Sequence, residues 1–246
     1  MKITVIIPCY NEAKSIATVI NGFPKEQLKH HGYKLDVLVI DNNSTDDTAK
    51  RAAKAGARVI KEPSKGKGRA LRTGFANLLP DTDYVVMIDG DNTYRSKEIL
   101  RMVEPLQNNF CDVVMGSRLA GKVHHDAMRN FNRGGNWLYT HLVRIFFVVN
   151  VTDVLTGYFA WKRSVVDKLA PHLKSPGFSI EMEMITKMAR MGFEIYSVPI
   201  SYHPRTGHSQ LRPIHDGVHI LRTFWESMHW EPTETVDGLS AEEDQI

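Results

Sequence analysis

Short apolar runs and amphipathic segments alternate through the first half of the chain. The apolar runs, each predicted to be a buried strand, are 3–9, 35–40, 57–60, 83–88 and 111–115. The segments with helical periodicity between them are 13–23, 44–55, 68–79 and 96–106. Strands that alternate with helices of roughly 10–15 residues are typical of parallel sheets. We therefore predict an α/β fold in which helices flank a mostly parallel sheet.

The second half of the chain is less regular. We expect helices over 131–149, 180–191 and 213–230, and strands over 157–161 and 195–202, the last broken at Pro199. Neither an internal repeat nor a low-complexity linker divides the chain, so residues 1–230 are predicted to form a single domain. Residues 231–246 carry six acidic side chains and no Lys or Arg. A segment of this composition is expected to be a disordered tail.

The acidic tail offsets part of the positive net charge of the rest of the chain. The formal net charge is +3, but without the six tail acids 31 basic residues face 22 acidic ones, which gives +9. A basic surface suits an anionic partner such as a nucleotide, a lipid phosphate or a membrane surface. The chain carries no motif typical of DNA or RNA recognition, so we expect no nucleic-acid partner.

The cellular setting follows from the cysteines and the apolar runs. Cys9 and Cys111 make no disulfide framework, which fits a reducing compartment. The apolar run at the N-terminus is short and leads at once to Asn11 and Glu12, so it indicates a strand rather than a signal peptide. No run reaches the ~18 apolar residues that a spanning helix needs. We expect a cytoplasmic protein that lies peripherally at the cytoplasmic face of a membrane.

Polar side chains follow four of the predicted strands. They are Pro8-Cys9-Tyr10-Asn11-Glu12, Asp41-Asn42-Asn43-Ser44, Asp89-Gly90-Asp91 and Gly116-Ser117-Arg118. Parallel strands bring their carboxyl ends to one edge of a sheet, where ligands of open α/β folds bind. Asp89 and Asp91 are two residues apart, so in an extended strand both side chains point to the same side. Such a pair favours Mg²⁺ or Mn²⁺ with a substrate diphosphate, although Asp91 alone could cap a helix.

Other nucleotide and hydrolase motifs are missing. The chain has no G-x-x-x-x-G-K-[ST], G-x-S-x-G or H-E-x-x-H pattern, which disfavours P-loop proteins, serine hydrolases and zinc proteases. Gly66-Lys67-Gly68 lacks the third glycine of a dinucleotide fingerprint. The lysines around it, Lys61, Lys65 and Lys67, are typical of a solvated loop. His215 and His219 have the spacing of zinc ligands, but no third ligand is spaced with them.

The strand-end motifs resemble a known family. Pro8-x-Tyr10-Asn11-Glu12, the turn from Asp41 to Asp46 and Asp89-Gly90-Asp91 resemble the family 2 glycosyltransferases, which have the GT-A fold. The motifs that follow are Gly116-Ser117-Arg118, Asp153-x-x-Thr156-Gly157-Tyr158, Glu181-x-Glu183 and Arg205-x-Gly207-x-Ser209. These are similar to the dolichyl- and polyprenyl-phosphate sugar synthases, the mannose synthase among them. The resemblance covers roughly residues 3 to 225.

The resemblance implies a role for each matching residue. Those implied in nucleotide-sugar binding are Pro8, Tyr10, Glu12, Asp41, Asn42, Asp89 and Gly90. Asp91 would be the main metal ligand, with Asp89 beside it. The residues implied at the acceptor phosphate are Arg118, Arg133, Arg205 and Ser209. Asp89, Asp91, Arg118 and Arg205 are therefore the predicted catalytic residues.

Two positions depart from the family pattern. Asn42 stands where the family usually has a second Asp, and Thr93 stands where the mannose synthases often have Gln. Both departures leave a GDP-sugar and a UDP-sugar open as donors.

The predicted reaction moves a hexose, with inversion, from a nucleotide sugar to a polyprenyl or dolichyl phosphate. A phosphate acceptor needs no general base, whereas a hydroxyl acceptor needs one, for which Glu181 and Glu183 are candidates. The apolar helix over 131–149 and the last helix are expected to guide the lipid, and a membrane partner subunit is left open.

Transfer to a hydroxyl of a glycan is the alternative. Two further alternatives are less favoured. One is a nucleotide-sugar-binding protein without turnover. The other is a nucleotidyltransferase, whose usual Gly-rich loop with Arg and Lys is missing after the first strand.

Overall fold

The computed structural model describes residues 1–128, 130–207, 210 and 212–232. In these ranges the strands are β1 (Lys2–Cys9), β2 (Lys34–Asp41), β3 (Arg58–Lys61), β4 (Tyr84–Met87), β5 (Val113–Val123), β6 (Phe159–Lys162) and β7 (Ile195–Tyr202). The α-helices are α1 (Ile16–Asn21), α2 (Lys25–His30), α3 (Thr48–Lys54), α4 (Lys67–Ala76), α5 (Ile99–Gln107), α6 (Asn130–Phe147), α7 (Arg163–Leu169), α8 (Ile180–Arg190) and α9 (Pro213–Met228). Ser209 and almost all of the predicted acidic tail lie outside the described residues.

The strands form one sheet in the order β3-β2-β1-β4-β6-β5-β7. Pairing is parallel except at β6, which runs antiparallel to β4 and to β5. The carboxyl ends of β1, β2, β4 and β5 therefore lie on the same edge. The predicted mostly parallel α/β sheet flanked by helices is confirmed.

Apolar side chains fill a core on each face of the sheet. Along β1, Val5 and Ile7 belong to one core layer and Ile6 to the other, because successive side chains of a strand point to opposite faces. Helix α5 lies over the first layer, and α4 and α8 lie over the second. A side chain at Gly74 would meet Ile6 Cγ2 at 2.6 Å. The glycine therefore lets α4 pack directly on β1.

Several elements differ from the sequence prediction. The helix expected over 13–23 is the shorter α1, and a second helix, α2, which the prediction lacked, begins after Pro24, whose missing N–H cannot continue a helical ladder. Strand β5 does not end at Met115 but continues to Val123, because after an irregular register it pairs again with β7. Strand β7 is not broken at Pro199, which is tolerated in this edge strand. Helix α7 had no counterpart in the prediction.

Among the described residues, no helix is at once long enough and apolar enough to cross a membrane.

Candidate active site

A cavity of about 240 Å³ opens at the carboxyl edge of β1 and β4. Its lining includes eight of the residues predicted to bind donor, metal or acceptor, which are Pro8, Tyr10, Glu12, Asn42, Asp89, Gly90, Asp91 and Arg205. The other lining residues are Cys9, Lys65, Gly66, Lys67, Ala70, Phe178 and Gln210. The structure therefore brings together most of the residues predicted at the strand ends.

Asp91 is the most deeply buried carboxylate of this cavity. Its Oδ1 accepts hydrogen bonds from the backbone N–H of Thr93 at 2.9 Å and from the Thr93 hydroxyl at 2.6 Å. Its Oδ2 lies 2.5 Å from Nη2 of Arg205, in an ion pair whose angles are not those of a hydrogen bond. Burial and then the charge of Asp89 raise the pKa of Asp91, while Arg205 and the Thr93 bonds oppose that rise. The neighbouring carboxylates of Asp89 and Asp91 therefore favour a further positive charge in this cavity.

Lys67 links Asp89 to a second acid outside the strand-end motifs. Its Nζ lies 2.6 Å from Asp89 Oδ1 and 2.6 Å from Glu181 Oε1. Burial alone would lower the pKa of Lys67, but the two carboxylates outweigh it and raise that pKa. Burial raises the pKa of Glu181, against the effect of Lys67. On the other side of Asp89, a Cβ on Gly157 would lie 2.1 Å from Asp89 Oδ2, so only glycine fits there.

The interpretation of Lys67 as part of a solvated loop was therefore wrong. Its side chain is buried at the start of α4 and lines the cavity. A signal was present in the sequence, because Gly66-Lys67-Gly68 stands at the start of the predicted helix. The partner Glu181 is more than a hundred residues away, and no local pattern connects the two.

Glu12 and Tyr10 lie on the β1 side of the cavity. Burial, followed by the charge of Asp91, raises the pKa of Glu12 to about 7, and Ser15 and Arg205 oppose the rise. Glu12 Oε2 accepts a hydrogen bond from Ser15 Oγ at 3.0 Å, and Oε1 lies 3.7 Å from Arg205 Nη1. The Tyr10 hydroxyl accepts a hydrogen bond from Lys65 Nζ at 2.6 Å. The aromatic ring of Tyr10 thus lines the cavity next to the long cationic side chain of Lys65.

Asn42 lines the cavity, but its amide is engaged by the segment 62–66. Nδ2 donates to the carbonyls of Glu62 at 3.2 Å and Ser64 at 2.8 Å, and Oδ1 accepts from the N–H of Gly66 at 2.6 Å. An aspartate could make only the last of these bonds. Asp41 is buried outside the cavity lining and accepts from the N–H of Ser44 at 3.3 Å.

The residues predicted at the acceptor phosphate are not all together. Arg118 lies inside β5 and makes a bidentate pair with Asp153, from Nε to Oδ2 at 2.8 Å and from Nη2 to Oδ1 at 2.7 Å. Its charge is therefore balanced, and it does not line the cavity. Arg133 is exposed on α6, and Ser209 lies outside the described residues. Arg205 is thus the member of this set that the structure places in the cavity.

The two acids considered as general bases are both engaged. Glu183 accepts hydrogen bonds from the N–H of Lys174 at 2.9 Å, the N–H of Ser175 at 2.7 Å and Lys187 Nζ at 2.7 Å. These bonds lower its pKa although burial raises it. Glu183 therefore anchors the segment before α8, while Glu181 is held by Lys67. The second oxygen of Glu181 is buried and has no hydrogen bond within the described ranges.

Comparison with known proteins identifies the family. The Glycosyl transferase family 2 model matches residues 4–170, and the chain belongs to this family. Glycosyltransferase AglJ of Haloferax volcanii is 37% identical over 218 residues, which cover 87% of this chain and 68% of that relative. A dolichyl-phosphate hexose transferase of the same organism is 29% identical over 222 residues, or 90% of this chain and 92% of the relative.

A solved structure shows the same fold. The crystal structure of glucosyl-3-phosphoglycerate synthase from Mycobacterium tuberculosis, with Mn²⁺, UDP-glucose and phosphoglyceric acid, aligns with a TM-score of 0.71. It is 23% identical and covers 92% of this chain and 79% of that chain. The predicted GT-A fold and the assignment of the chain as a glycosyltransferase enzyme are confirmed.

Proposed function

We propose that this glycosyltransferase moves a hexose from a GDP- or UDP-sugar to a polyprenyl or dolichyl phosphate, with inversion at the anomeric carbon. The observation that carries the proposal is the buried Asp91, paired with Arg205 and next to Asp89 in one cavity at the sheet edge. Such a site combines acids for a metal with a guanidinium for a phosphate. Pro8, Tyr10, Glu12, Asn42 and Gly90, which the resemblance implies in donor binding, also line this cavity, whereas Asp41 does not.

We propose Mg²⁺ or Mn²⁺ as the cofactor. Within the described ranges no three His, Cys, Asp or Glu side chains are arranged to hold a metal, so the donor diphosphate and water would supply most ligands, as they commonly do for Mg²⁺. Asp91 fits as the main protein ligand because it is a buried carboxylate in the cavity, and a metal at its Oδ2 would take the place of the Arg205 guanidinium that lies 2.5 Å from that oxygen. When bound, the metal would stabilise the charge of the departing nucleoside diphosphate. The mycobacterial structure is a complex that contains both Mn²⁺ and UDP-glucose.

A phosphate acceptor is supported by the state of the candidate bases. A lipid phosphate is already anionic and needs no proton removed, while Glu181 and Glu183 are both held in ion pairs. The name of the 29% identical relative, a dolichyl-phosphate hexose transferase, agrees with this acceptor class. Glu12 favours the second candidate, transfer to a hydroxyl, because a carboxylate with a pKa of about 7 suits a general base.

We further propose that α6 and α9 contact a membrane surface. The helices pack against each other, yet large apolar side chains on both remain exposed. These include Phe131, Trp137, Ile145, Val218 and Trp225. Exposed cations, Arg133 and Arg144, lie on the same helix α6 and would suit anionic headgroups. A lipid acceptor would then approach the cavity from this side.

A transfer assay tests the proposal. Radiolabelled UDP- and GDP-sugars are offered with a polyprenyl phosphate and Mn²⁺ or Mg²⁺, and lipid products are extracted into organic solvent. We expect label in the organic phase from one donor, and we expect EDTA and Asp91→Asn each to abolish it. Asp167→Asn, at a half-exposed ion pair on α7, should keep full activity.

Two results would change the proposal. Label recovered on a hydroxyl of a soluble glycan would establish the second candidate. Transfer to lipid that survives both EDTA and Asp91→Asn would contradict the metal site.

A further inference from the structure

Two histidines stack on each other where β5 and β7 end. The ring centroids of His124 and His203 are 3.9 Å apart and the ring planes differ by 25°. Both residues are fixed by backbone bonds: the N–H of His124 donates to Tyr202 O and the N–H of His203 donates to Thr93 O, each at 2.9 Å. The pair thus joins the segments that follow β4, β5 and β7.

Arg95 lies near this pair, because Tyr94, the residue before it, forms a β-bridge with Tyr202, the residue before His203. Burial, then Arg95, His124 and Lys97, lower the pKa of His203, and Glu98 alone opposes them. Glu98 is itself engaged, since it accepts from the N–H and the hydroxyl of Ser201, each at 3.0 Å. In the part of the chain that the structure describes, Arg95 makes no ion pair and has one long hydrogen bond, 3.5 Å to Asn92 Oδ1. The group therefore has more positive than negative charge.

The histidine pair is connected to the cavity through the next turn of chain. Arg205, two residues after His203, pairs with Asp91, and the N–H of Thr206 donates to Asp91 O at 3.2 Å. His203 is therefore held next to the turn that carries Arg205. His124 comes before the segment that leads to α6, on which apolar side chains are exposed.

We infer that His124, His203 and Arg95 form a cradle for the phosphate group of the acceptor. This inference rests on the proposed function and gives the acceptor phosphate a site other than Arg118, whose charge Asp153 already balances. Imidazole N–H groups and a guanidinium are suitable donors for phosphate oxygens. The lipid chain would extend along α6, and Arg205 would face both the acceptor and the donor.

The reaction at this position balances without a proton transfer. An oxygen of the dianionic acceptor phosphate forms a bond to the anomeric carbon. The bond from that carbon to the nucleoside diphosphate breaks, and the nucleoside diphosphate leaves with the electron pair. The product is a phosphodiester with one negative charge.

The first test measures phosphate binding independently of turnover. Imidazole nitrogens of the full chain are followed by NMR in EDTA, while inorganic phosphate replaces chloride at constant ionic strength. We expect phosphate to raise the pKa of His203, because a bound dianion stabilises the imidazolium. His30, exposed on α2, is the internal control and should not respond. Equal, negligible effects of phosphate on His203 and His30 would overturn the cradle.

The second test uses transfer to farnesyl phosphate, a short soluble acceptor. We expect Arg95→Gln and His203→Asn each to raise the acceptor KM about tenfold, because each loses a charge-assisted hydrogen bond. The Kd for the nucleotide sugar should change less than about twofold, which also shows that the variants fold. His30→Asn and Arg51→Gln, at exposed positions on α2 and α3, are matched controls.

The two tests separate the cradle from the proposed function. Normal transfer with an unchanged acceptor KM in both variants would overturn the cradle and leave the proposed function intact. If wild type transfers no sugar to any lipid phosphate, the proposed acceptor is wrong. A response of His203 to inorganic phosphate would even then retain the cradle as an anion site.

Discussion

Lys67 places one positive charge between two acids that lie about ninety residues apart in the chain, Asp89 and Glu181. Its Nζ is equally close, 2.6 Å, to Asp89 Oδ1 and Glu181 Oε1. Both contacts are shielded from water, since the Lys67 side chain is 12% exposed and that of Glu181 5%. Removing one member of a buried ion pair leaves the other charge without compensation. Lys67 is therefore expected to matter for stability as well as for the geometry of Asp89.

Replacing Lys67 by methionine tests this role, because methionine keeps most of the apolar stem. We expect Lys67→Met to lower the free energy of unfolding by about 3–5 kcal/mol, measured by urea denaturation in EDTA. Lys65→Met is the matched control two residues away, where the lysine is exposed and pairs with a hydroxyl. It should cost less than about 1 kcal/mol.

A double variant checks the cause of that loss. Lys67→Met leaves two carboxylates without their cation, and adding Glu181→Gln removes the charge of the more deeply buried one, so the double variant should recover part of the lost stability. If Lys67→Met alone costs no more than Lys65→Met, the ion triad does not stabilise the fold.

Most of the residues that line the cavity could be predicted from sequence to lie together, because they lie within a few residues of a strand end. Tyr10, Asp89 and Asp91 follow apolar runs that are visible locally, and parallel strands bring such ends together. The roles of Lys67 and Arg118 could not be predicted in this way. Their environment depends on Glu181 and Asp153, which lie far along the chain, and no local pattern shows which charge faces which.

At the scale of elements, the conformation of the segment between β3 and α4 depends on Asn42, which directly follows β2. Asn42 holds residues 62–66 with three hydrogen bonds to their backbone. This segment carries Lys65 to Tyr10 and leads into Lys67. The departure of Asn42 from the family's second Asp thus has a structural reason, since an amide can donate to two carbonyls and a carboxylate cannot.

Restoring the family residue should therefore loosen the segment. We expect Asn42→Asp to lower the free energy of unfolding by about 1–3 kcal/mol, because it faces two carbonyls with a carboxylate. Hydrogen exchange of the amides in 62–66 should become faster, and the Kd for the nucleotide sugar should rise. Asn43→Asp, at an exposed position with φ of 62°, is the control. Unchanged exchange in 62–66 would show that Asn42 does not hold the segment.

Element boundaries were predicted well where the local periodicity of apolar residues sets them. They were predicted poorly where pairing with a strand far along the chain sets them. The apolar runs placed β1, β2 and β4 within a few residues. Strand β5 was expected to end at Met115, but its second half exists because it pairs with β7, which lies more than seventy residues later. The polar-apolar pattern of 116–123 does not contain that information.

Across the whole molecule, the exposed apolar side chains of α6 and α9 form one surface. Phe146 of α6 lies 5.7 Å from Phe224 and 6.3 Å from Trp225 of α9, between ring centroids. On this surface Ile145 is 70% and Trp225 50% exposed. Burial of such side chains in a membrane interface is favourable by about 1.5–3 kcal/mol each.

Vesicle binding tests this surface. We expect Ile145→Asn with Trp225→Asn to weaken binding to vesicles of phosphatidylcholine and phosphatidylglycerol by about tenfold or more, measured by co-sedimentation. The melting temperature should change little, because both side chains are exposed. Phe110→Asn is the control, since Phe110 is 61% exposed but precedes β5, at the opposite edge of the sheet. Equal sedimentation of all three proteins would contradict the proposed membrane surface.

The ion pair between Arg205 and Asp91 affects the order in which the cavity is assembled during translation. Residues 8 to 91 supply most of the donor cavity early, but the guanidinium that balances Asp91 is translated more than a hundred residues later. Until then Asp91 is a carboxylate without its cation, and the edge strand β7 has not joined the sheet. A nascent chain that ends before Arg205 would therefore carry most of the cavity's residues without the cation that faces Asp91.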